Sequence, residues 1–160
     1  MSLMYHRNDA QPEFHYPVDR LFKLSGILTD HQIRHPTGRD LENNPVRYVI
    51  KDGLTTRVTI GCLAGFESKV RLYGLAGTFT SVEAPVLPYG KNEHFGPFSK
   101  GGDSGALVAG PDGQFVSLFT GGTGPTDSVD ITYTTPIHWL WEIIKAQFQG
   151  ADLYFDDPKK

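Results

Sequence analysis

From residue 46 onward, apolar and polar positions alternate in short stretches separated by turn residues. Residues 46–51 (VRYVIK) read as a short apolar strand, and Asp52-Gly53 as a turn. In residues 54–62, Thr56, Val58 and Ile60 alternate with Thr55, Arg57 and Thr59, the period of two of a half-buried strand. Residues 69–73 and 77–83 alternate in the same way. Residues 87–102 are rich in Gly and Pro and read as a long loop. Strands are then expected at 105–110, 115–120 and 131–134, with a turn at Pro111-Asp112-Gly113 and a loop over 121–129.

The last element has a different period. Ile137, Leu140, Trp141, Ile144 and Phe148 follow helical spacing, with Thr135 as the expected cap, Pro136 in the first turn and Gly150 as the stop. Trp141 shares the apolar stripe, whereas Trp139 does not. Ahead of residue 46 the signal is weaker. Residues 20–28 read as a short strand, 29–36 as one helical turn capped by Thr29 or Asp30, and 38–45 as a loop. The expectation is an all-β protein: about six antiparallel strands with tight turns, forming a small barrel or sandwich and ending in one amphipathic helix.

Composition agrees with this picture. The 18 Gly and 11 Pro are spread along the chain, as many turns require. A net charge of -3 gives no reason to expect nucleic acid or an anionic membrane as partner. Cys62 is the single cysteine, so an intramolecular disulfide is excluded and a reducing compartment is favoured. Residues 1–14 do not read as a signal peptide, and no run approaches the roughly 20 apolar residues of a membrane span. A soluble, cytoplasmic protein is the expectation.

One motif carries chemistry: Gly101-Gly102-Asp103-Ser104-Gly105, followed by an apolar strand. A nucleophilic serine needs a turn that exposes its hydroxyl and aims backbone N–H groups at a developing oxyanion. Flanking glycines open the backbone conformations that such a turn uses. Asp103 would hold the turn by bonding neighbouring backbone groups or a nearby cation. The competing reading is a glycine-rich hairpin loop whose Asp and Ser bond only their own backbone.

This motif and its surroundings resemble the second barrel of the chymotrypsin-like serine proteases, in particular fungal or bacterial intracellular forms. The order of a long loop, Ser104, two strands, Gly121-Gly122 and a closing helix matches that barrel, and Lys51-x-Gly53-x-Thr55-Thr56-x-x-Thr59-x-Gly61 looks like its opening hairpin. The resemblance spans residues 45–148. Residues 1–44 are then an irregular segment or the remnant of an inter-barrel linker, and 149–160 a tail. It implies a serine endopeptidase acting on peptide or protein substrates, with no metal and no cofactor. Ser104 takes the nucleophile position, Gly102 and Ser104 the oxyanion hole, and Asp103 the loop support. Phe98 falls near the base of the specificity pocket, and Thr120, Gly121 and Gly122 near its wall. An aromatic at Phe98 offers no charge for a Lys or Arg side chain.

The sequence departs from the family in one respect. The family's general base and orienting acid sit on a first barrel. Such a barrel needs on the order of 80–100 residues, and only residues 1–44 precede the pattern. The expectation is that this barrel is not in the chain and that the chain alone is inactive. Of the six histidines (His6, His15, His31, His35, His94 and His138), only His94 is close enough in sequence to Ser104 to be considered as a local base. His31 and His35, four apart, read as a solvated pair, and His138 as a surface or packing residue. The family's Asp103 equivalent often pairs with a new N-terminal amine, which leaves Asp103 here in need of another partner. Cys62 reads as an inert thiol, and Asp127 and Asp130 as turn residues.

Two functions remain. One is the serine-bearing half of an endopeptidase, completed by a segment carrying the first barrel. The other is an inactive pseudoprotease serving as a protein-binding β-barrel. Leu21, Phe22, Leu24 and Ile27 are apolar enough to belong to an interface with a first barrel.

Overall fold

The computed structural model describes residues 21–89, 96–122 and 131–153. The elements, in chain order, are helix α1 (Asp30–Arg34), strands β1 (Gly38–Arg39), β2 (Pro45–Gly53), β3 (Arg57–Leu63), β4 (Ser68–Gly74), β5 (Gly77–Pro88), β6 (Leu107–Ala109), β7 (Phe115–Gly122) and β8 (Thr132–Pro136), and helix α2 (Ile137–Gln147).

Six of these strands close on themselves in the order β2-β3-β5-β8-β7-β6, all antiparallel, and β6 returns to β2 through Ile50↔Ala109 and Lys51↔Val108. The expected six antiparallel strands with a C-terminal helix are therefore present, as a closed ring. Closure removes the free edges that an open sheet would leave. The ring is filled by Val49, Leu63, Ala84, Val86, Val108 and Val116, together with Phe98 from the loop before β6. Leu28 and Ile33 join the same core from the segment before the ring.

That segment is more ordered than its composition suggests. Ser25 N–H donates to Gly113 O, Phe115 N–H to Gly26 O and Leu28 N–H to Phe115 O, at 2.9, 2.7 and 2.9 Å. The strand expected at 20–28 is reduced to one parallel bridge, Ile27↔Phe115. The helical turn is real, and it carries a full capping box: Thr29 caps the Gln32 N–H, and the Gln32 side chain returns to the Thr29 N–H. Leu21 and Phe22 are exposed.

Three details differ from the sequence expectation. The turn expected at Asp52-Gly53 lies at residues 54–56, because β2 runs on to Gly53 and pairs it with Arg57. In β3 the buried positions are Gly61 and Leu63, while Val58 is exposed. Thr135 does not cap α2: the N-cap is Pro136 with no side-chain cap bond, since the Thr135 hydroxyl donates to Glu83 Oε2 at 2.9 Å instead. Within α2 only Ile137 is fully buried, and Trp139 is exposed.

β4 and the first half of β5 form a ribbon that projects from the ring. Leu72 and Phe79 face each other directly across it, and both are more than half exposed. The alternation that reads as a half-buried strand there reflects two solvent-facing sides. Among the described residues no helix is long and apolar enough to cross a membrane.

Candidate active site

Ser104 sits in the loop between Phe98 and β6, and it is exposed. The backbone around it is fixed at three points. Asp103 N–H donates to Lys100 O at 3.1 Å, Gly105 N–H to Phe119 O at 2.9 Å and Ala106 N–H to Asp103 O at 2.9 Å. Gly102 and Gly105 take φ of 98° and 85°, the left-handed region that side chains disfavour, which is why the motif places glycine there. Between these anchored positions, the N–H groups of Gly102 and Ser104 donate to no acceptor among the described residues. An oxyanion site would need such N–H groups to converge on one point.

Asp103 explains how the loop keeps this shape. Its carboxylate is buried and accepts five hydrogen bonds. Oδ1 takes Thr55 N–H at 2.7 Å and Thr56 N–H at 3.1 Å. Oδ2 takes the Thr56 hydroxyl at 2.6 Å, Lys100 N–H at 3.1 Å and Lys51 Nζ at 3.2 Å. The Lys51 ammonium also donates to Thr56 Oγ1 at 2.6 Å and lies 5.4 Å from the centroid of the Phe98 ring. Burial pushes the Asp103 pKa upward, but the bonds from Thr56, Lys100 and Thr55 outweigh it, and the carboxyl is held well below the usual carboxylate range. The cation that the turn needs is thus an internal lysine from β2. The motif points to a partner without naming it; Lys51, Thr55 and Thr56 lie 52, 48 and 47 positions away in sequence.

Phe98 is buried against the ring, with its carbonyl accepting from Thr59 Oγ1 at 2.7 Å. Ser99 and Thr132 share a 2.6 Å hydroxyl contact beside it. Thr120, Gly121 and Gly122 form the end of β7, where the register with β8 shifts between Phe119 and Gly121. Thr120 Oγ1 donates to Tyr133 O at 3.3 Å and to Glu83 Oε2 at 3.4 Å. Glu83, buried and shared by Thr120 and Thr135, is a polar centre that the sequence reading missed. Its position in a strand with alternating polarity gave no sign of burial.

Among the described residues, no histidine hydrogen-bonds to Ser104. His31 and His35 belong to the α1 region and His138 to α2, while His94, Asp127 and Asp130 lie outside the described residues. The Cys62 thiol is half-buried, and burial pushes its pKa up to about 11, which suits an inert side chain rather than a nucleophile.

No protein-family model matches the chain, and no curated protein matches it. Solved structures do. This chain is similar to chymotrypsin-like serine proteases. A chymotrypsin from Cellulomonas bogoriensis aligns at 19% identity over 78% of this chain and 52% of that one, with a TM-score of 0.48. A glutamic acid specific serine protease, described as using a novel histidine triad in substrate binding, aligns at 19% identity over 78% and 51%, with a TM-score of 0.43. The chain spans about half the length of each.

Proposed function

We propose that this chain is the nucleophile-bearing part of a serine-type endopeptidase, cleaving peptide bonds through an acyl ester on Ser104. The observation that carries this reading is an exposed serine flanked by two undonated N–H groups, in a loop pinned by the buried Asp103 carboxylate. In the proposed reaction Ser104 Oγ attacks the substrate carbonyl carbon. The carbonyl oxygen, now an anion, receives the N–H groups of Gly102 and Ser104. Thr120, Gly121 and Gly122 flank the substrate side chain, and Phe98, buried in the ring, backs that pocket without touching the substrate. The attack requires a base that takes the hydroxyl proton and returns it to the leaving amine as the C–N bond breaks, after which water hydrolyses the Ser104 ester; that base with its orienting acid belongs to a first barrel supplied by another segment.

A second reading is an inactive ring that binds protein or peptide without cleaving it. It is favoured by one observation: no described residue hydrogen-bonds to the Ser104 hydroxyl, so nothing activates it among them.

A fluorophosphonate serine probe, with Ser104→Ala as control, is applied to the isolated chain and to the chain joined to a first-barrel segment of a chymotrypsin-like protease. Labelling of the isolated wild type but not of the variant means an activated serine and a base within the chain, and His94 is then the first residue to substitute. Absence of labelling from the isolated chain fits both readings; labelling that appears once the first barrel is supplied supports the endopeptidase, and its continued absence supports the non-catalytic ring.

A further inference from the structure

Away from Ser104, three elements bring metal-ligating side chains to one point. Asp30 opens α1, Glu67 lies in the connection between β3 and β4, and His138 is the second residue of α2. One ligand atom from each lies within 4.8 Å of the other two. We propose that Asp30, Glu67 and His138 bind a first-row divalent cation, with Zn2+ the preferred ion, and that the ion ties α1 and α2 to the β3–β4 connection.

The donor set has the right chemistry. One imidazole nitrogen with two carboxylate oxygens suits zinc and its neighbours, and leaves open positions for water. Metal–ligand distances of about 2.0–2.2 Å place donor atoms roughly 3–4 Å apart, so the three groups need to draw in by about 1 Å. Side-chain rotation supplies that, since Asp30 is about half exposed. His138 adds an independent sign. Its Nδ1 is buried and has no hydrogen-bond partner among the described residues. A ring nitrogen removed from water without a partner is costly, and a metal ion bound at Nδ1 would supply the missing partner.

Arg34 is the competitor. Its Nε lies 3.0 and 3.1 Å from the two Asp30 oxygens and its Nη2 lies 2.8 Å from Glu67 Oε2, so one guanidinium bridges both carboxylates and leaves one negative charge uncompensated. The side chain is 43% exposed and is free to swing outward. A cation therefore takes over a place that already collects positive charge. The neighbouring His31–His35 pair is a poorer candidate. The rings stack at 4.4 Å and His35 Nδ1 lies 2.9 Å from His31 O, so that nitrogen is already engaged with the backbone.

The test uses the untagged full chain, stripped with chelator and titrated with Zn2+ by calorimetry, and with Co2+ by its visible absorption. One equivalent should bind, and Zn2+ should raise the thermal midpoint. Glu67→Gln and His138→Gln should each weaken binding at least about tenfold. Arg34→Gln should strengthen it several-fold, and His35→Gln should leave it unchanged. Circular dichroism checks each variant for folding, and Glu67→Gln, in a connection between strands, carries the test if His138→Gln does not fold. The proposal is overturned if the wild type shows no saturable binding, if binding survives Glu67→Gln unchanged, or if it depends on His35.

Discussion

Lys51 Nζ lies 3.2 Å from Asp103 Oδ2, and neither side chain is reached by solvent. Removing one member of such a pair leaves a buried charge without its partner, which costs about 3–5 kcal/mol. Lys51→Met and Asp103→Asn should both fall in that range in urea unfolding. Asp103→Asn should be the larger, because its amide would face the donors Thr56 Oγ1, Lys100 N–H and Lys51 Nζ. If both variants unfold within about 0.5 kcal/mol of the wild type, a surface-like value, the carboxylate does not hold the loop.

The same carboxylate sets a pH dependence. Its folded pKa lies below the ordinary value of 3.8, so the unfolded chain binds a proton more readily than the folded one. The stability it contributes is fully present above about pH 4 and is lost as pH falls further toward the folded value. Stability curves measured from pH 5 to pH 2 should show a steep loss below about pH 4. In Asp103→Asn that part of the slope should be reduced.

Gly61 has a packing role. A Cβ there would meet Val86 Cγ1 at 2.5 Å, Phe98 Cδ2 at 2.7 Å and Leu87 O at 2.9 Å. Gly61→Ala should destabilise by about 1–3 kcal/mol through overpacking, and the displaced Phe98 ring should be visible in near-UV circular dichroism. An unchanged unfolding midpoint would mean that β5 yields at no cost.

Cys62 should be slow with disulfide reagents in the native state. With its pKa pushed up to about 11, its thiolate population near pH 8 should give a rate on the order of 100-fold below that of a free thiol. Denaturant should restore the ordinary rate. Fast native labelling would contradict the burial of the thiol.

Much of this architecture is legible in local patterns. The strands at 46–51 and 115–120 follow their apolar runs, the one expected at 105–110 is shortened to Leu107–Ala109, and α2 follows its 3.6-residue spacing. The GGDSG motif marks the loop, because its glycines answer a purely local backbone need. What fails is anything that depends on which face a strand turns inward. Val58 is apolar and exposed, Glu83 is charged and buried, and Thr135 serves Glu83 on the neighbouring strand β5 rather than its own helix. One overlooked signal was present. Arg47, Val49 and Lys51 share a face of β2 at a period of two, so a strand read with Val49 inward already points Lys51 into the core, where it must meet an acid. Which acid is a matter of closure, and no local pattern contains it.

Lys51 both pairs with Val108 where the ring closes and holds Asp103 beneath the serine loop. During synthesis, Lys51 is made more than fifty residues before Asp103 and Val108, so until they emerge it has β3 on one side but neither the closing strand nor a counter-charge. The loop that carries Ser104 therefore gains its Lys51–Asp103 anchor only once the stretch that also supplies the closing strand has been made.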